Sequence, residues 1–154
     1  AENAVLREAV RLGAEGLDQA FVARTKFDVP LGPAALDVLN AELTEAHCGM
    51  DTSTIASLVT AQRVWDSSMA DALVDAGRSI LIAGAGHTGT DRAVPWVLGH
   101  MQPEASVAAL AFVEVAADFD SPRDSAAYFR TPTLPYQFFW FTPGATLNAE
   151  VEPC

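Results

Sequence analysis

The segment from Ser79 to Asp91 reads SILIAGAGHTGTD and combines residue types that can do chemistry. A continuous apolar run ends in a glycine loop that carries a single histidine, His87. Gly84 and Gly86 allow the backbone to turn sharply and to approach a ligand closely. We therefore predict a binding site at Gly84, Gly86 and His87, with Asp91 or a nearby threonine capping the helix that follows.

The imidazole of His87 has several possible uses. It can ligate a metal ion or a haem iron, or act as a general base. The chain has three histidines, and no two of them have the i, i+4 or i, i+2 spacing of metal ligands on one helix or strand. Spacing alone therefore leaves both a metal-binding and a purely structural role open for His87.

The loop from Gly84 to Gly89 also fits the pattern G-x-G-x-x-G, and the acidic residue Glu114 ends the next apolar run. This is the layout of a dinucleotide-binding domain. Two features count against it. His87 stands where a pyrophosphate would approach the backbone, and Pro95 interrupts the helix that should follow the last glycine. Dinucleotide binding and a glycine turn that holds no ligand remain alternatives.

The elements that position this loop indicate an α/β fold. Ile80–Ala83 is apolar at every position, which predicts a strand buried on both faces. A short helix from Asp91 to Met101, interrupted by Pro95, precedes a second parallel strand at Val107–Val113. Gln137–Thr142 is aromatic enough to form a last strand. We expect a single domain in which helices flank a partly parallel sheet.

Three further helices are predicted, at Ala4–Leu17, from Pro33 to about Thr44 or Ala46, and at about Thr54–Ala76. The longest of them carries Gln62 and Asp66 in the middle of its apolar face. Burying these side chains without partners would cost about 1 to 3 kcal/mol each. We therefore expect them to bond to a loop backbone or to a side chain of the binding site.

Composition excludes some classes of function. The net charge is −11, with nine Lys and Arg residues in total, so a nucleic-acid partner is not expected. No apolar stretch reaches the roughly 18 residues that span a bilayer. Cys48 and Cys154 have no zinc-ligand spacing, and either a disulfide between them or two separate thiols fits the sequence.

Several short motifs occur along the chain in a specific order. They are Ala1 to Arg7, His47-Cys48-Gly49, Gln62-x-x-x-Asp66-x-x-Met69-Ala70, Ile82-Ala83-Gly84-x-Gly86-His87, Asp91, Val94-Pro95, and the ending Phe139-Trp140 to Pro153-Cys154. Together they resemble the ChaN-like haem-binding uptake family of the Tiki superfamily.

The resemblance implies an α/β protein of an extracytoplasmic iron-uptake system, in several members a lipoprotein, that binds haem. His87 and a tyrosine, Tyr128, are the implied axial candidates, and Gln62, Asp66 and Asp91 support them. Arg92 and Arg63 are the remaining candidates to contact the haem propionates, because guanidinium groups suit carboxylates. Related branches imply an alternative, a metal-dependent hydrolase or peptidase in which Asp66 or Glu114 assists His87 as ligand or base.

The resemblance also implies that the chain is the C-terminal half of a ChaN-like domain, without the earlier half that carries a Gly-Glu-x-His motif. An incomplete sheet would have an exposed edge. We expect that edge to be covered by a second chain, a homo-oligomer partner or an N-terminal segment. Trp65, Gly89-Thr90 and Ala93 depart from the residues usual in the family.

Overall fold

The computed structural model describes residues 3–115 and 134–143. These residues form five α-helices and two β-strands, with short 3-10 turns at Gly13–Gly16 and Ala85–His87. The elements are α1 Asn3–Leu12, α2 Gln19–Thr25, α3 Pro33–Ala46, α4 Thr52–Ala76, α5 Val94–Met101, β1 Leu110–Val115 and β2 Phe138–Pro143.

The 25-residue helix α4 is the centre of the helical part, and the other four helices pack against it. Asp51 caps its start by accepting hydrogen bonds from the backbone N–H groups of Ser53 and Thr54 at 3.0 and 3.1 Å. Gly77 ends it with a φ of +70°, a conformation that favours glycine. The helix thus has a side-chain cap at its start and a glycine at its end.

The predicted helices largely agree with the structure. α3 begins at the predicted Pro33 and ends at Ala46, the later of the two predicted ends. The first helix ends at Leu12 instead of Leu17, because Gly13 adopts a φ of +67° and a 3-10 turn follows. The sequence analysis missed α2, although Asp18 caps it by accepting from the Phe21 N–H at 3.0 Å.

The helical core has two parts that meet along α4. One contains the fully buried Val64, packed with residues of α1, α2 and their connections: Ala9, Leu17 and Phe27. The other contains Ala70 and joins α4 to α5 through Val94 and Val97. Most of the helical packing thus depends on two faces of one helix.

The sheet has two parallel strands, which confirms the α/β class. Its register runs from Leu110 opposite Phe138 to Val115 opposite Pro143. Along β1 the burial alternates, since Ala111 and Val113 are buried whereas their neighbours in the strand are more exposed. One face of the sheet is therefore covered, and the other faces outward.

The predicted strand at Ile80–Ala83 is wrong for the described residues. The segment is extended, but none of the backbone groups of residues 79–83 bonds to another described backbone group. Leu81 packs beside α4 and α5, whereas Ile80 and Ile82 are 89% and 94% exposed. A strand needs a neighbour, and in the described residues β1 pairs with β2 instead.

The helix after the loop begins at Val94, with Pro95 in its first turn, so Pro95 starts the helix and does not interrupt it. Its N-cap residue, Ala93, makes no side-chain bond to the helix, which corrects the expected capping by Asp91 or a threonine. No helix in the described part of the chain is long and apolar enough to cross a membrane.

Some predictions lie on residues that the structure does not describe. A helical turn predicted near Ser125 to Phe129, which includes Tyr128, is outside the described ranges. Cys48 is disulfide-bonded, while Cys154 lies outside the described residues.

Replacing Val64 by alanine should lower the free energy of unfolding by on the order of 2 kcal/mol, because a fully buried side chain leaves a cavity behind. Urea unfolding followed by circular dichroism measures this change. Val10→Ala is the matched control, since Val10 is 41% exposed and should lose less than about 0.5 kcal/mol. Equal losses in the two variants would contradict the packing described for α4.

Candidate functional site

Two polar side chains of α4 hold the glycine loop. The Gln62 amide nitrogen donates a hydrogen bond to the backbone oxygen of Gly86 at 2.9 Å. The carboxylate of Asp66, one helical turn later, lies 2.7 Å from Nδ1 of His87. Both polar residues on the apolar face thus have the partners expected of them, one a loop backbone group and the other a side chain of the predicted site.

The bond to Asp66 determines which nitrogen of His87 carries the proton. Gln62 Nε2 also lies 3.0 Å from His87 Nδ1. An amide nitrogen only donates, so this 3.0 Å contact is a hydrogen bond only if Nδ1 carries no proton, whereas the shorter 2.7 Å contact to the Asp66 carboxylate, which only accepts, requires a proton on Nδ1. Nδ1 therefore directs its N–H at the ionised Asp66, and Nε2 retains its lone pair. No described residue hydrogen-bonds to Nε2, and the side chain is 29% exposed.

The Asp66 carboxyl is almost completely buried, with a side-chain exposure of 3%. Burial raises its pKa above the ordinary value, because the charged form loses its water. The hydrogen bond from His87 acts in the opposite direction and lowers the pKa, as do the positive charges of Arg63 and Arg92. The carboxylate is therefore held in place by surrounding charge as well as by geometry.

Tyr136 holds the other side of the loop. Its hydroxyl donates to the backbone oxygen of Ala85 at 3.0 Å and lies 3.4 Å from the Thr88 hydroxyl. Burial raises the pKa of Tyr136, so the hydroxyl keeps its proton for this bond. Two groups of Thr90, the backbone N–H and the hydroxyl, donate to Pro135 O at 2.8 and 3.0 Å.

The contact between Tyr136 and the loop was not predicted from the sequence. It joins residues far apart in sequence, and no local pattern indicates it.

Arg92 forms ion pairs with two carboxylates of the protein itself. Its NH1 donates to both Asp91 oxygens at 2.7 and 2.6 Å, and its NH2 donates to Glu42 at 2.6 Å. The side chain is only 6% exposed, and Nε is buried without a hydrogen-bond partner. Asp91, predicted to support the ligand, is thus the ion-pair partner of Arg92. Contact between Arg92 and a propionate stays a prediction that would require these bonds to rearrange.

Arg63 also forms hydrogen bonds within the protein. Its NH2 donates to the backbone oxygens of Phe27 and Val29, each at 2.8 Å. The guanidinium lies 4.6 Å from the centroid of the Phe27 ring, within the range of a cation–π interaction. Burial lowers the pKa of Arg63. Its role here is to anchor the connection between α2 and α3.

An open groove of about 440 Å³ lies beside the loop, between the start of α3 and the segment before β2. Its walls are mostly apolar and include Pro33, Trp96 and Pro135, with Thr90 and Asp91 from the loop itself. A volume of this size is within the range of small-molecule sites. His87 does not line it.

The described residues contain no group of three or more His, Cys, Asp and Glu side chains arranged to hold a metal ion. His87 is thus a single potential ligand there, and Glu114 lies on an exposed position of β1. The glycine loop also departs from the dinucleotide-binding layout, because the segment before it pairs with no other described strand and α5 begins several residues after Gly89.

A family model described as haem-binding uptake, Tiki superfamily, ChaN matches residues 1–98. The chain belongs to this family. The match includes Gln62, Asp66 and His87, and it ends before β1 and β2. The similarity to the ChaN family is therefore shown for the helical part and the loop, whereas the resemblance noted at Phe139-Trp140 lies outside the match. No curated protein and no solved structure matches the chain significantly.

Asp66→Asn should change how stability depends on pH. Folding raises the pKa of Asp66, so the folded state binds this proton more tightly than the unfolded state does. The free energy of unfolding therefore decreases as the pH rises from the unfolded pKa of Asp66, about 3.9, through its folded pKa. The variant lacks this loss. Its stability relative to the unmodified protein should therefore increase with pH across that window, as urea unfolding at a series of pH values would show. A difference independent of pH would contradict the assignment.

Proposed function

We propose that this protein binds haem at the loop from Gly84 to Thr88, with Nε2 of His87 as an axial ligand, as part of an extracytoplasmic iron-uptake system. The proposal deepens the family assignment, which names haem-binding uptake. The observation that carries it is the 2.7 Å bond between Asp66 and His87 Nδ1, which leaves Nε2 as the donor atom.

The residues of the loop fit an axial ligand. A histidine that ligates a metal commonly donates its other ring N–H to a carboxylate, which orients the ring and makes the ligating nitrogen more basic. Asp66 provides that acceptor and Gln62 restrains the loop backbone next to it. Bound haem would supply an iron atom with an axial position that an imidazole nitrogen can fill.

The glycines support the same site. Gly84 has φ −63° and ψ 156°, which any residue adopts, and a Cβ placed on it would meet nothing within 4 Å. A Cβ on Gly86 would meet only Gln62 Nε2, at an ordinary 3.5 Å. Neither the backbone conformation nor the packing within the protein requires glycine at these positions. A flat ligand lying against the loop would require glycine there, because a side chain would stand between the ligand and the backbone.

The second axial position is assigned to a tyrosine. The hydroxyl of Tyr136 is bonded to Ala85 O, and the ring of Tyr136 belongs to a buried cluster. Tyr128 is therefore the candidate that we retain, and it lies outside the described residues. Arg92 would contact a propionate only if the ligand displaced Asp91 or Glu42.

Location outside the cytoplasm and anchoring as a lipoprotein are part of the proposal. The disulfide at Cys48 supports an oxidising compartment, since thiols in the cytoplasm are kept reduced. The segment at residues 79–83 is extended and pairs with no other described residues, which supports a further strand from a second chain or an oligomer partner. No observation on the described residues favours the hydrolase or the dinucleotide alternative.

His87→Ala should abolish or weaken haem binding at least tenfold, because the axial donor is removed. The measurement is a titration of the purified chain with hemin, followed by the Soret band. His100→Ala is the matched control. His100 bonds through Nδ1 to a backbone oxygen, that of Trp96, and its side chain is exposed, but it belongs to α5 and not to the loop. An unchanged Soret titration of His87→Ala would exclude His87 as the ligand.

Gly84→Ala should leave the urea midpoint unchanged and weaken hemin binding, because the added methyl group meets no protein atom but would stand between ligand and loop. Gly99→Ala serves as the control, since Gly99 lies in α5 and also has open space around its Cβ position. It should retain full hemin binding. Equal affinity in both variants would show that the ligand does not lie against Gly84.

A further inference from the structure

The loop that carries His87 is held from two sides at consecutive backbone carbonyls. Gln62, from α4, donates to Gly86 O at 2.9 Å. Tyr136, from the segment before β2, donates to Ala85 O at 3.0 Å. The backbone immediately before His87 is therefore restrained by the helical part of the chain and by the sheet part together.

Residues 135–137, which we call the connecting segment, bond to the loop on one side and to the start of the sheet on the other. Pro135 O accepts from the backbone N–H and the hydroxyl of Thr90 at 2.8 and 3.0 Å. Gln137 bonds twice to Ala109, the residue before β1. Its backbone N–H donates to Ala109 O at 3.1 Å, and its side-chain oxygen accepts from the Ala109 N–H at 2.7 Å. The loop and the sheet are thus joined through this short segment.

The ring of Tyr136 is fixed by the packing of the sheet. Its exposure is 7%, and it belongs to a buried cluster that includes residues of β1. The ring of Phe139, from β2, packs edge-on against it, with 5.8 Å between the two ring centroids. A buried hydroxyl that loses its acceptor costs free energy, because water cannot replace the lost bond. The bond from Tyr136 to Ala85 O therefore depends on how the sheet is packed.

The bond between Asp66 and His87 leaves one motion of the imidazole to the backbone. A single hydrogen bond at Nδ1 sets one distance, 2.7 Å, but allows the ring to tilt about that bond. The tilt is decided by the loop backbone to which the ring is attached. A change at Ala85 therefore changes the direction of Nε2, even when the bond to Asp66 is kept.

We propose that Tyr136 is a positioning residue of the haem-binding loop, through which the packing of the sheet sets the direction of the His87 imidazole. Tyr136 acts through the Ala85 peptide and not as an iron ligand, because its hydroxyl proton is donated to Ala85 O. It lies beyond residues 1–98, which the family model matches. The inference rests on the proposed function for its ligand, whereas the contact itself involves protein atoms alone.

Tyr136→Phe removes the hydroxyl and keeps the ring. We expect it to bind hemin roughly three- to tenfold more weakly in a Soret titration, the effect of one net hydrogen bond. The electron paramagnetic resonance spectrum of the ferric complex, which responds to the orientation of an axial imidazole, should also change. Thr142→Val is the matched control, because Thr142 donates a hydroxyl bond within the sheet, to Val113 O at 3.4 Å. It should leave both the affinity and the spectrum unchanged.

Hydrogen exchange of the apo chain separates this inference from the proposed function. The N–H of Thr88 donates to Ala85 O at 3.2 Å, so it reports on the carbonyl that Tyr136 holds. Peptides that contain the loop should exchange at least about threefold faster in Tyr136→Phe, while peptides from α1 should not change. Thr90→Val, which removes the hydroxyl bond to Pro135 O, should give a smaller change in the same direction. It provides the measurement if Tyr136→Phe does not fold.

Two results would overturn the inference. One is a Tyr136→Phe variant that has a lower urea midpoint but the hemin affinity and ferric spectrum of the unmodified chain, because its role would then be structural alone. The other is a loop that exchanges at the unmodified rate in both variants. An unmodified chain that gives no Soret band with hemin would contradict the proposed function instead. Faster loop exchange in Tyr136→Phe would even then support Tyr136 as the residue that positions the loop.

Discussion

The hydrogen bond between Asp66 and His87 is the constraint on which the site depends. It joins a rigid, 25-residue helix to a loop that has only a short 3-10 turn of its own. A buried carboxylate without a partner is costly, so the folded chain must bring a donor to Asp66. The loop histidine is that donor. The same contact therefore satisfies the buried charge, positions the loop and selects the tautomer that leaves Nε2 available.

Two arginines likewise hold segments near the site through hydrogen bonds and ion pairs. Arg63 bonds to backbone oxygens of the connection before α3, and Arg92 links the loop to Glu42 of α3. Tyr136 adds an uncharged contact from the segment before β2. Removing one partner from such a network leaves another polar group buried and unpaired. The charged residues near the loop therefore hold it in place. They could contact a ligand only if these bonds were broken.

The helical and sheet parts of the protein differ in how far they bury their apolar side chains. The helices bury two connected apolar faces of α4, and the family similarity covers this part of the chain. The strands bury one face and expose four large apolar side chains on the other, while the segment at residues 79–83 is extended and pairs with no other described residues. Apolar strands of this kind are stable when neighbours cover them. Among the described residues, the sheet is thus the part that leaves large apolar side chains uncovered.

The sequence by itself determined the local elements. Pro33 and Asp51 at helix starts and Gly77 at a helix end act through neighbouring backbone groups, so α3 and α4 were predicted almost to the residue. It also showed that Gln62 and Asp66 need partners, because two polar residues interrupt an apolar face. Only the tertiary structure decided which groups those partners are, that Tyr136 bonds to Ala85, and that Ile80 and Ile82 are exposed. Each of these depends on residues distant in sequence, and an apolar run such as Ile80–Ala83 becomes a buried strand only where another strand is present to pair with it.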